Sequence, residues 1–549
     1  MADKNRDKAE EGRQDADLFR EAENVTARVD DFTEDTMEKK AAVKNGILRM
    51  VLVVLSIVLE VAVIFLLLRI AGSKAGWIYS VLHMLSIIQV LVIYGSHKTA
   101  SIRMTWIMLI LLVPVVGIVL YYLIGLNGHT LKMRKRYMDL DRVLLPLLPS
   151  NKQVSERVRE KSGRLAGVSR YIKDNAGYPV YEHTKVTYYD DALKGLRAQL
   201  EELAKAERFI FMEYHAIEDA ESWHEIQKVL VERAKASVEV RIFYDDMGSI
   251  GFINTNFVKK MESLGLKCRV FNPFAPGLNL FLNNRDHRKI TVIDGKVGFT
   301  GGYNLANEYF HRKEPYGFWK DTGIRLEGDA VQSLTITFLE MWNAISEDDE
   351  DDREFTRFLT SPPSPKGQGF VQPYADSPMD GIAVGEDVYM SIAEGATDYV
   401  WYITPYLIIT DEMNHVLSLA AMRGVDVRII TPGIPDKKIV YNLTRSYYNG
   451  LARRGVRIFE FTPGFCHAKM CVSDDLVATC GTINMDYRSL YHHFENGCLY
   501  ADCDAVMDTK RDFEETFAQC REVTDYYVNG RGAFMRFGHM LLRLAAPLM

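Results

Sequence analysis

Two segments of the chain carry the same four polar residue types at the same spacing, 180 residues apart. The first holds His287, Lys289, Asp294 and Asn304, and the second holds His467, Lys469, Asp474 and Asn484. In both, the Asp follows the His by seven residues and the Asn follows it by seventeen, which chance does not explain. Ammonium and amide groups offset the charge of a phosphodiester, and a histidine is a nucleophile or proton carrier. The pattern therefore predicts a phosphate-handling site.

Two histidines at one phosphate can divide the chemistry between them. One, neutral, attacks phosphorus, while the other, protonated, donates its proton to the departing alkoxide and later deprotonates an acceptor hydroxyl. The residues alone do not say which histidine does which. The predicted catalytic set is His287, Lys289, Asp294, His467, Lys469 and Asp474, with Asn304 and Asn484 binding phosphate. Within this set the two aspartates end their strands before a turn, so we expect them to be structural.

Each imidazole also needs a partner on its second nitrogen, to fix the tautomer and stabilise the cation. The candidates are Asp321 and Glu495, which follow His287 and His467 at comparable distances. Pairing of these two carboxylates with the nearby Arg325 and Arg488 is the alternative. Other polar residues have weaker support: His215 and Tyr406, at corresponding strand ends, are expected to pack or cap, with lining of the pocket as the alternative. His492 and His493 belong to no motif.

The elements around the motifs also occur twice. In each half, apolar runs typical of strands alternate with helical stretches, and each His-x-Lys pair lies in an apolar, β-branched run, where both side chains project from one face. The prediction is an α/β fold of two homologous halves with mixed or largely parallel sheets that form one site. The halves are predicted at 181–345 and 370–530, joined by an acidic and proline-rich linker at 346–369.

Composition narrows the function classes. The chain has 549 residues and a net charge of −7, much of it in an acidic tail at 1–45 that is predicted to be disordered or a loose helix. The remainder is close to neutral, which argues against a nucleic-acid partner. Seven cysteines without a CxxC pair indicate a reducing compartment. Cys466 and Cys471 flank His467, but their spacing fits no common zinc pattern, so we expect buried thiols and no metal or cofactor.

The N-terminal part, 46–128, contains apolar stretches at 47–70, 77–94 and 102–126 that are predicted to be transmembrane helices. Glu60 lies within the first stretch, and basic residues cluster both before it and after the third. The sequence therefore does not decide whether there are two or three spans. We expect the catalytic region to lie in the cytoplasm. A basic helical connector is predicted at 129–180. An amphipathic segment at 531–549 could lie on the membrane or dock on the core.

With these residues in view, the chain resembles the phospholipase D superfamily, whose signature H-x-K-x4-D-x6-G-[GS]-x-N occurs twice. Its bacterial cardiolipin synthase branch is closer still, through GGYNLANEY at 301–309, WKD at 319–321 and GTINMDYRS at 481–489. This resemblance implies metal-free transfer of a phosphatidyl group between two phosphatidylglycerol molecules at the bacterial cell membrane. It also implies His287 as the nucleophile and His467 as the acid.

Other functions would use the same residues. With water as acceptor the enzyme would be a phospholipase D, and with another alcohol it would make a different phospholipid. A membrane-tethered nuclease and a non-catalytic lipid-binding scaffold are further alternatives, disfavoured by the neutral core and by the two intact motifs. Sequence does not indicate the oligomeric state.

Overall fold

The computed structural model describes the body of the chain and part of its N-terminal region. The described residues are 43–52, 76–96, 99–114, 117, 118, 121, 122, 128–273, 284–345, 354–359 and 367–529, with a few isolated positions besides. Nearly all of the acidic tail, most of the apolar stretch 47–70, much of the linker 346–369 and most of the segment 531–549 lie outside them.

The N-terminal region is helical where it is described. Residues 43–52 are helical, and α1 (Gly76–Tyr94), α2 (Ala100–Leu112) and α3 (Gly128–Leu144) follow. Among the described residues, none of the helices has both the length and the apolar character that crossing a membrane requires. The predicted spans at 77–94 and 102–126 are therefore not shown, and the second of them lies partly outside the described residues. Helix α2 ends before Pro114, whose ring disfavours helix in the preceding residue.

The predicted connector is helical and leads into the body of the protein. After α3 it contains α4 (Lys152–Lys161) and α5 (Gly163–Tyr171). Asn151 and Ser162 begin these two helices, and their side chains accept hydrogen bonds from Gln153 N and Leu165 N.

The first half is a seven-stranded mixed sheet with the order β1-β9-β7-β6-β2-β3-β4. Its strands are β1 (Thr184–Tyr189), β2 (Phe209–Tyr214), β3 (Glu239–Asp245), β4 (Lys267–Phe271), β6 (Lys289–Ile293), β7 (Val297–Gly301) and β9 (Gly323–Gly328). The β2-β3-β4 side is parallel and the remainder antiparallel. Its helices are α6 (Ala192–Leu203), α7 (Glu221–Lys235), α8 (Asp246–Ser249), α9 (Phe257–Ser263) and α10 (Val331–Ile345).

The second half repeats this strand order. Its sheet runs β10-β19-β17-β16-β11-β13-β14-β20. The strands are β10 (Phe370–Asp376), β11 (Tyr399–Ile403), β13 (Asp426–Pro432), β14 (Arg457–Phe461), β16 (Met470–Ser473), β17 (Val477–Gly481), β19 (His493–Ala501) and β20 (Cys520–Glu522). The helices are α11 (Val384–Gly395), α12 (Asp411–Met422), α13 (Lys438–Ala452), α14 (Tyr487–Tyr491), α15 (Asp504–Phe517) and α16 (Thr524–Asn529). The predicted α/β architecture with mixed sheets is confirmed.

Two short parallel strand pairs join the halves. β5 (Arg285–Asp286) pairs with the start of β19, and β8 (Phe318–Lys320) pairs with β15 (Gly464–Cys466). A further small pair, β12 (Leu407–Ile408) with β18 (Met485–Asp486), lies within the second half. Helix α10, buried along nearly its whole length, packs between the first sheet, β10 and α3. The two joining pairs lie immediately before the two motif histidines, so they position the site.

Candidate active site

The two His-x-Lys segments occupy equivalent places in the two sheets, at the start of β6 and just before β16. His287 and His467 are 7% and 6% exposed, and Lys289 and Lys469 are each 1% exposed. Such burial of two ammonium groups is costly unless partners or a bound anion compensate for it. The motif residues therefore form a buried polar site between the halves.

His287 is held by the second half of the chain. Its backbone N–H donates to Phe494 O at 2.9 Å, and its Nδ1 lies 2.9 Å from each carboxylate oxygen of Glu495. Glu495 is fully buried and also accepts a short hydrogen bond from the Thr482 hydroxyl. With Nδ1 donating to this carboxylate, Nε2 carries the lone pair available for reaction.

His467 is held in the same way by the first half. Its backbone N–H donates to Lys320 O at 2.7 Å, and its Nδ1 lies 2.7 Å from Asp321 Oδ2. The other oxygen of this buried carboxylate accepts from Thr322 N at 2.9 Å. Each histidine thus takes both its backbone partner and its carboxylate from consecutive residues of the opposite half.

This exchange corrects the local assignment of the two carboxylates. Asp321 and Glu495 do contact the motif histidines, but each contacts the histidine of the other half rather than the one that precedes it. The alternative partner of Asp321 is also wrong, because Arg325 pairs with Glu202 at 3.2 Å and Glu327 at 3.1 Å. The reason for the exchange is the β5–β19 and β8–β15 pairing across the halves.

The motif lysines hold the backbone of their own histidines. Lys289 Nζ donates to His287 O at 2.5 Å, and Lys469 Nζ donates to His467 O and lies 2.8 Å from His467 Nδ1. Burial lowers the pKa of Lys289 to about 7, although the negative charge of Glu495 acts to raise it. Burial also lowers the pKa of Lys469 to about 8, against Asp321 and Glu495. Near neutral pH these amines are close to losing their protons, and a bound phosphate would keep them charged.

The surroundings of both imidazoles favour their neutral form in the free site. Burial lowers the pKa of His287 well below its usual value, and the charges of Lys289, Lys469 and His467 lower it further. Burial lowers the pKa of His467 as well, with added effects of Lys469 and Lys289. Because both lysines act on both histidines, the two motifs form one electrostatic unit.

The remaining motif residues divide into two groups. Asp294 accepts backbone hydrogen bonds from Glu207, Arg208 and Phe209, and Asp474 accepts them from 397–399, so both tie their strand end to the start of a neighbouring strand. Asn304 accepts from Ala216 N and donates to Tyr309 Oη. The buried Oδ1 of Asn484, by contrast, has no hydrogen-bond partner among the residues that the structure describes.

Two histidines outside the motifs lie near His287. The ring centroid of His215 lies 5.0 Å from that of His287, and the centroid of His493 lies 5.5 Å from it. Burial lowers the pKa of both neighbours well below the usual value. His215 Nδ1 also contacts Asp286 O at 2.7 Å, so His215 is packed as expected and lines the site as well. Its position at the end of β2, beside β6, agrees with the alternative that it lines the pocket. His493 had no such signal in the sequence.

His467 instead has an aromatic surround. The rings of Tyr309, Trp319 and Phe465 lie with their centroids 5.4, 5.5 and 5.7 Å from that of the imidazole. Such a wall shields one side of the histidine from water.

One group in the described part of the chain has the donor atoms for a metal ion: His287, His493 and Glu495, whose ligand atoms lie within 4.8 Å of one another. An ion there would displace the proton shared by His287 and Glu495. Cys466 and Cys471 are buried free thiols, and burial raises the pKa of each to about 12.

Two family models match the sequence. A cardiolipin synthase, phospholipase D-like domain covers residues 389–517, and a phospholipase D-nuclease N-terminal model covers residues 77–125. The first match includes the second motif, His467, Lys469 and Asp474.

Curated relatives match most of the chain. A cardiolipin synthase of Geobacillus kaustophilus is 31% identical, over 87% of this chain and 95% of its own length, and one of Halalkalibacterium halodurans is 30% identical, over 86% and 95%. An uncharacterized protein of Streptococcus mutans is 40% identical, over 84% of this chain and 99% of its own length.

Among solved structures, the phosphatidylserine synthase of Haemophilus influenzae shares the fold, with a TM-score of 0.53 at 13% identity over 69% of this chain and 99% of that one. Fold, motifs and relatives agree. The chain therefore belongs to the cardiolipin synthase family of the phospholipase D superfamily, as a phosphatidyltransferase of that type.

Proposed function

We propose that the protein makes cardiolipin and glycerol from two phosphatidylglycerol molecules at the cytoplasmic membrane, through a phosphatidyl-histidine intermediate. One observation carries the proposal: two imidazoles, each anchored by a carboxylate, share a buried site with two lysine side chains. Burial lowers the pKa of both imidazoles, which favours the neutral form that a nucleophile needs. This is the equipment that a double displacement at a phosphodiester needs.

In the first step, Nε2 of His287 attacks the phosphorus of the donor lipid. A P–N bond forms, the bond from phosphorus to the glycerol oxygen breaks, and the departing oxygen takes a proton from Nε2 of His467. The negative charge of the bound phosphate raises the proton affinity of His467, which burial lowers in the free site. Glu495, with both oxygens 2.9 Å from Nδ1, stabilises the positive charge that develops on the phosphorylated His287 ring.

In the second step, a hydroxyl of the second lipid gives its proton to Nε2 of His467 and attacks phosphorus. The P–N bond breaks, His287 returns to its neutral form, and cardiolipin is released. Asp321 holds Nδ1 of His467 throughout, so the same nitrogen serves as acid and then as base.

Membrane attachment through the N-terminal region is part of the proposal. Helix α1 exposes a series of large apolar side chains, which in water would be unfavourable and which lipid would cover. They are Val81, Met84, Leu85, Ile87, Ile88, Leu91, Val92 and Tyr94. The matched N-terminal family model covers the same stretch.

Purified protein given phosphatidylglycerol vesicles tests the proposal, with lipids and glycerol identified by mass spectrometry. We expect equimolar cardiolipin and glycerol, and no cardiolipin from His287→Ala or His467→Ala. Unchanged turnover in either variant, or phosphatidic acid as the sole lipid product, contradicts it. Reporter fusions at residues 75 and 130 would show whether the number of spans between them is odd or even.

A further inference from the structure

We propose that Lys437 binds the phosphate of the acceptor lipid, at a subsite beside His467. The inference rests on the proposed function, because it concerns the second anionic lipid in that reaction. The site has two lysines, Lys289 and Lys469, whose charges are already balanced by the buried carboxylates Asp321 and Glu495. Bringing two phosphodiesters together there calls for one more cation.

Lys437 is placed to supply that cation. It precedes α13, and its Nζ lies 5.4 Å from the ring centroid of Tyr406. The Tyr406 ring lies 6.4 Å from Phe465, and the Phe465 ring lies 5.7 Å from His467. The ammonium group is therefore separated from the proposed base by a short row of aromatic side chains.

The charge of Lys437 also reaches both halves of the site. Burial and the motif lysines are the main causes that lower the pKa of His287 and His467, and Lys437 adds to the effect on both. An acceptor hydroxyl that reaches His467 is joined to its own phosphate by a three-carbon glycerol unit. That phosphate would fall to the side of His467, where Lys437 lies.

The contacts of Lys437 leave it able to bind an anion. Its side chain is 65% exposed, and its Nζ lies 3.4 Å from both Asp436 Oδ2 and Tyr406 Oη, which are long contacts. Asp436 Oδ2 accepts a closer hydrogen bond from Tyr406 Oη, at 2.6 Å. The Asp436 side chain is only 14% exposed, but its contact with the exposed ammonium is long. Such a contact holds Lys437 weakly, so the ammonium can turn to a phosphate.

The surroundings of Lys437 suit a lipid. Ile434 and Ile439, on either side of it, are 39% and 62% exposed. The segment is fixed to the site, since Gly433 N donates to Phe461 O and Ile434 N donates to Gly464 O, next to Phe465. An exposed cation between exposed apolar side chains matches the boundary where lipid phosphates meet glycerol and acyl groups.

The test compares acceptors in the full-length enzyme with phosphatidylglycerol as donor. Cardiolipin reports a lipid acceptor with a phosphate, phosphatidylglycerophosphate reports added glycerol phosphate, and labelled glycerol entering phosphatidylglycerol reports a neutral acceptor. Lys437→Met should lower the first two about tenfold relative to the third, the loss of one cation–phosphate contact. Lys437→Arg should restore the ratio, and the neighbouring exposed Lys438→Met should leave it unchanged.

Three results would overturn the inference. An unchanged ratio in Lys437→Met excludes acceptor recognition, and an equal loss of glycerol exchange assigns Lys437 to donor binding or to the chemistry. A loss confined to cardiolipin would mean that the lipid surface, rather than the phosphate, is recognised. Wild-type enzyme without any phosphatidyl transfer would instead overturn the proposed function, and this subsite with it.

Discussion

The half-sites around the two histidines have the same backbone contacts but different carboxylates. His287 faces a glutamate, Glu495, which reaches Nδ1 with both oxygens and is itself held by the Thr482 hydroxyl. His467 faces an aspartate, Asp321, which uses one oxygen for Nδ1.

The residue that packs against each carboxylate, here called its backing residue, also differs between the half-sites. Thr482 occupies the motif position that is Gly302 in the first half, and both donate their N–H to the residue after the carboxylate, Asn496 or Thr322. A Cβ on Gly302 would lie 2.1 Å from Asp321 Oδ1. The two halves thus hold their histidines in the same way with different side chains. The backing residue has to leave room for its carboxylate, as Gly302 does for Asp321.

The largest expected difference between the half-sites concerns the histidines themselves. His287→Ala should lose the reaction with every substrate, because no nucleophile remains. His467→Ala should lose about 10^4-fold with phosphatidylglycerol but far less with a nitrophenyl phosphodiester, whose leaving group needs no acid. Alkaline digestion, which removes the acyl chains, and mass spectrometry should find a glycerophosphoryl group on histidine at 287 only. Phosphorylated His467 in wild-type enzyme would reverse the assignment.

Removing the charge of each carboxylate tests the exchange between halves. Glu495→Gln and Asp321→Asn should each lower kcat about 10^3-fold, because the amide no longer fixes the tautomer or stabilises the cation. In enzyme with 15N-labelled histidine, Glu495→Gln should alter the Nδ1–H resonance of His287, and Asp321→Asn that of His467. Changes in the histidine of the same half would refute the exchanged pairing.

The backing residues should give smaller and unequal effects. Gly302→Ala should lower kcat about 10^2-fold, since its Cβ must push Asp321 away from His467. Thr482→Val, which keeps the shape and removes the hydroxyl bond to Glu495, should lower it about tenfold, the scale of a hydrogen bond to a charged group. Thr482→Ser serves as the control with near wild-type kcat. Equal losses in Gly302→Ala and Thr482→Val would remove this distinction.

The two motif lysines should lose their protons at different pH values in the profile of kcat/KM. A lowered pKa means that the ammonium is lost as pH rises, so kcat/KM should fall above about pH 7 as Lys289 loses its charge, and further above about pH 8 with Lys469. Lys289→Arg, which stays charged, should move the first decline from about 7 to about 8, and Lys469→Arg should leave it in place. A decline that moves with neither variant would exclude the lysines as its cause.

The motif aspartates should affect stability more than chemistry. Asp294 is buried and Asp474 half-buried, and each accepts three backbone hydrogen bonds. Asp294→Ala should lower the free energy of unfolding by about 3 kcal/mol and Asp474→Ala by about 2 kcal/mol, measured with urea. Both residues have positive φ, which Asn tolerates, so Asp→Asn should cost less at either position. Full stability with lost activity would give these residues a direct role instead.

Much of the site could be predicted because its residues have types and spacings that few other folds use. The mixed sheets followed from alternating apolar runs, and the carboxylates at 321 and 495 were identified as partners of histidine. Their exchange could not be predicted: Asp321 follows His287 by 34 residues and Glu495 follows His467 by 28, so spacing favours the nearer histidine. The exchange depends on strand pairings only two or three residues long, too short to leave a pattern in the sequence.

Site residues outside the motifs were also hard to predict from the sequence. A lone histidine such as His493 lies beside His287 only because β5 pairs with the start of β19. The apolar stretches were visible, but hydropathy alone did not reveal that α2 ends at Leu112.

The crossed carboxylates have a consequence for how this enzyme can change over generations. A chimera that takes one half from a distant relative would inherit a histidine without the side chain shaped to hold it, even if both halves folded normally. Tolerated replacements at 302 and 321, or at 482 and 495, should thus occur together. Their effect on fitness would depend on a histidine that is encoded far away in the gene.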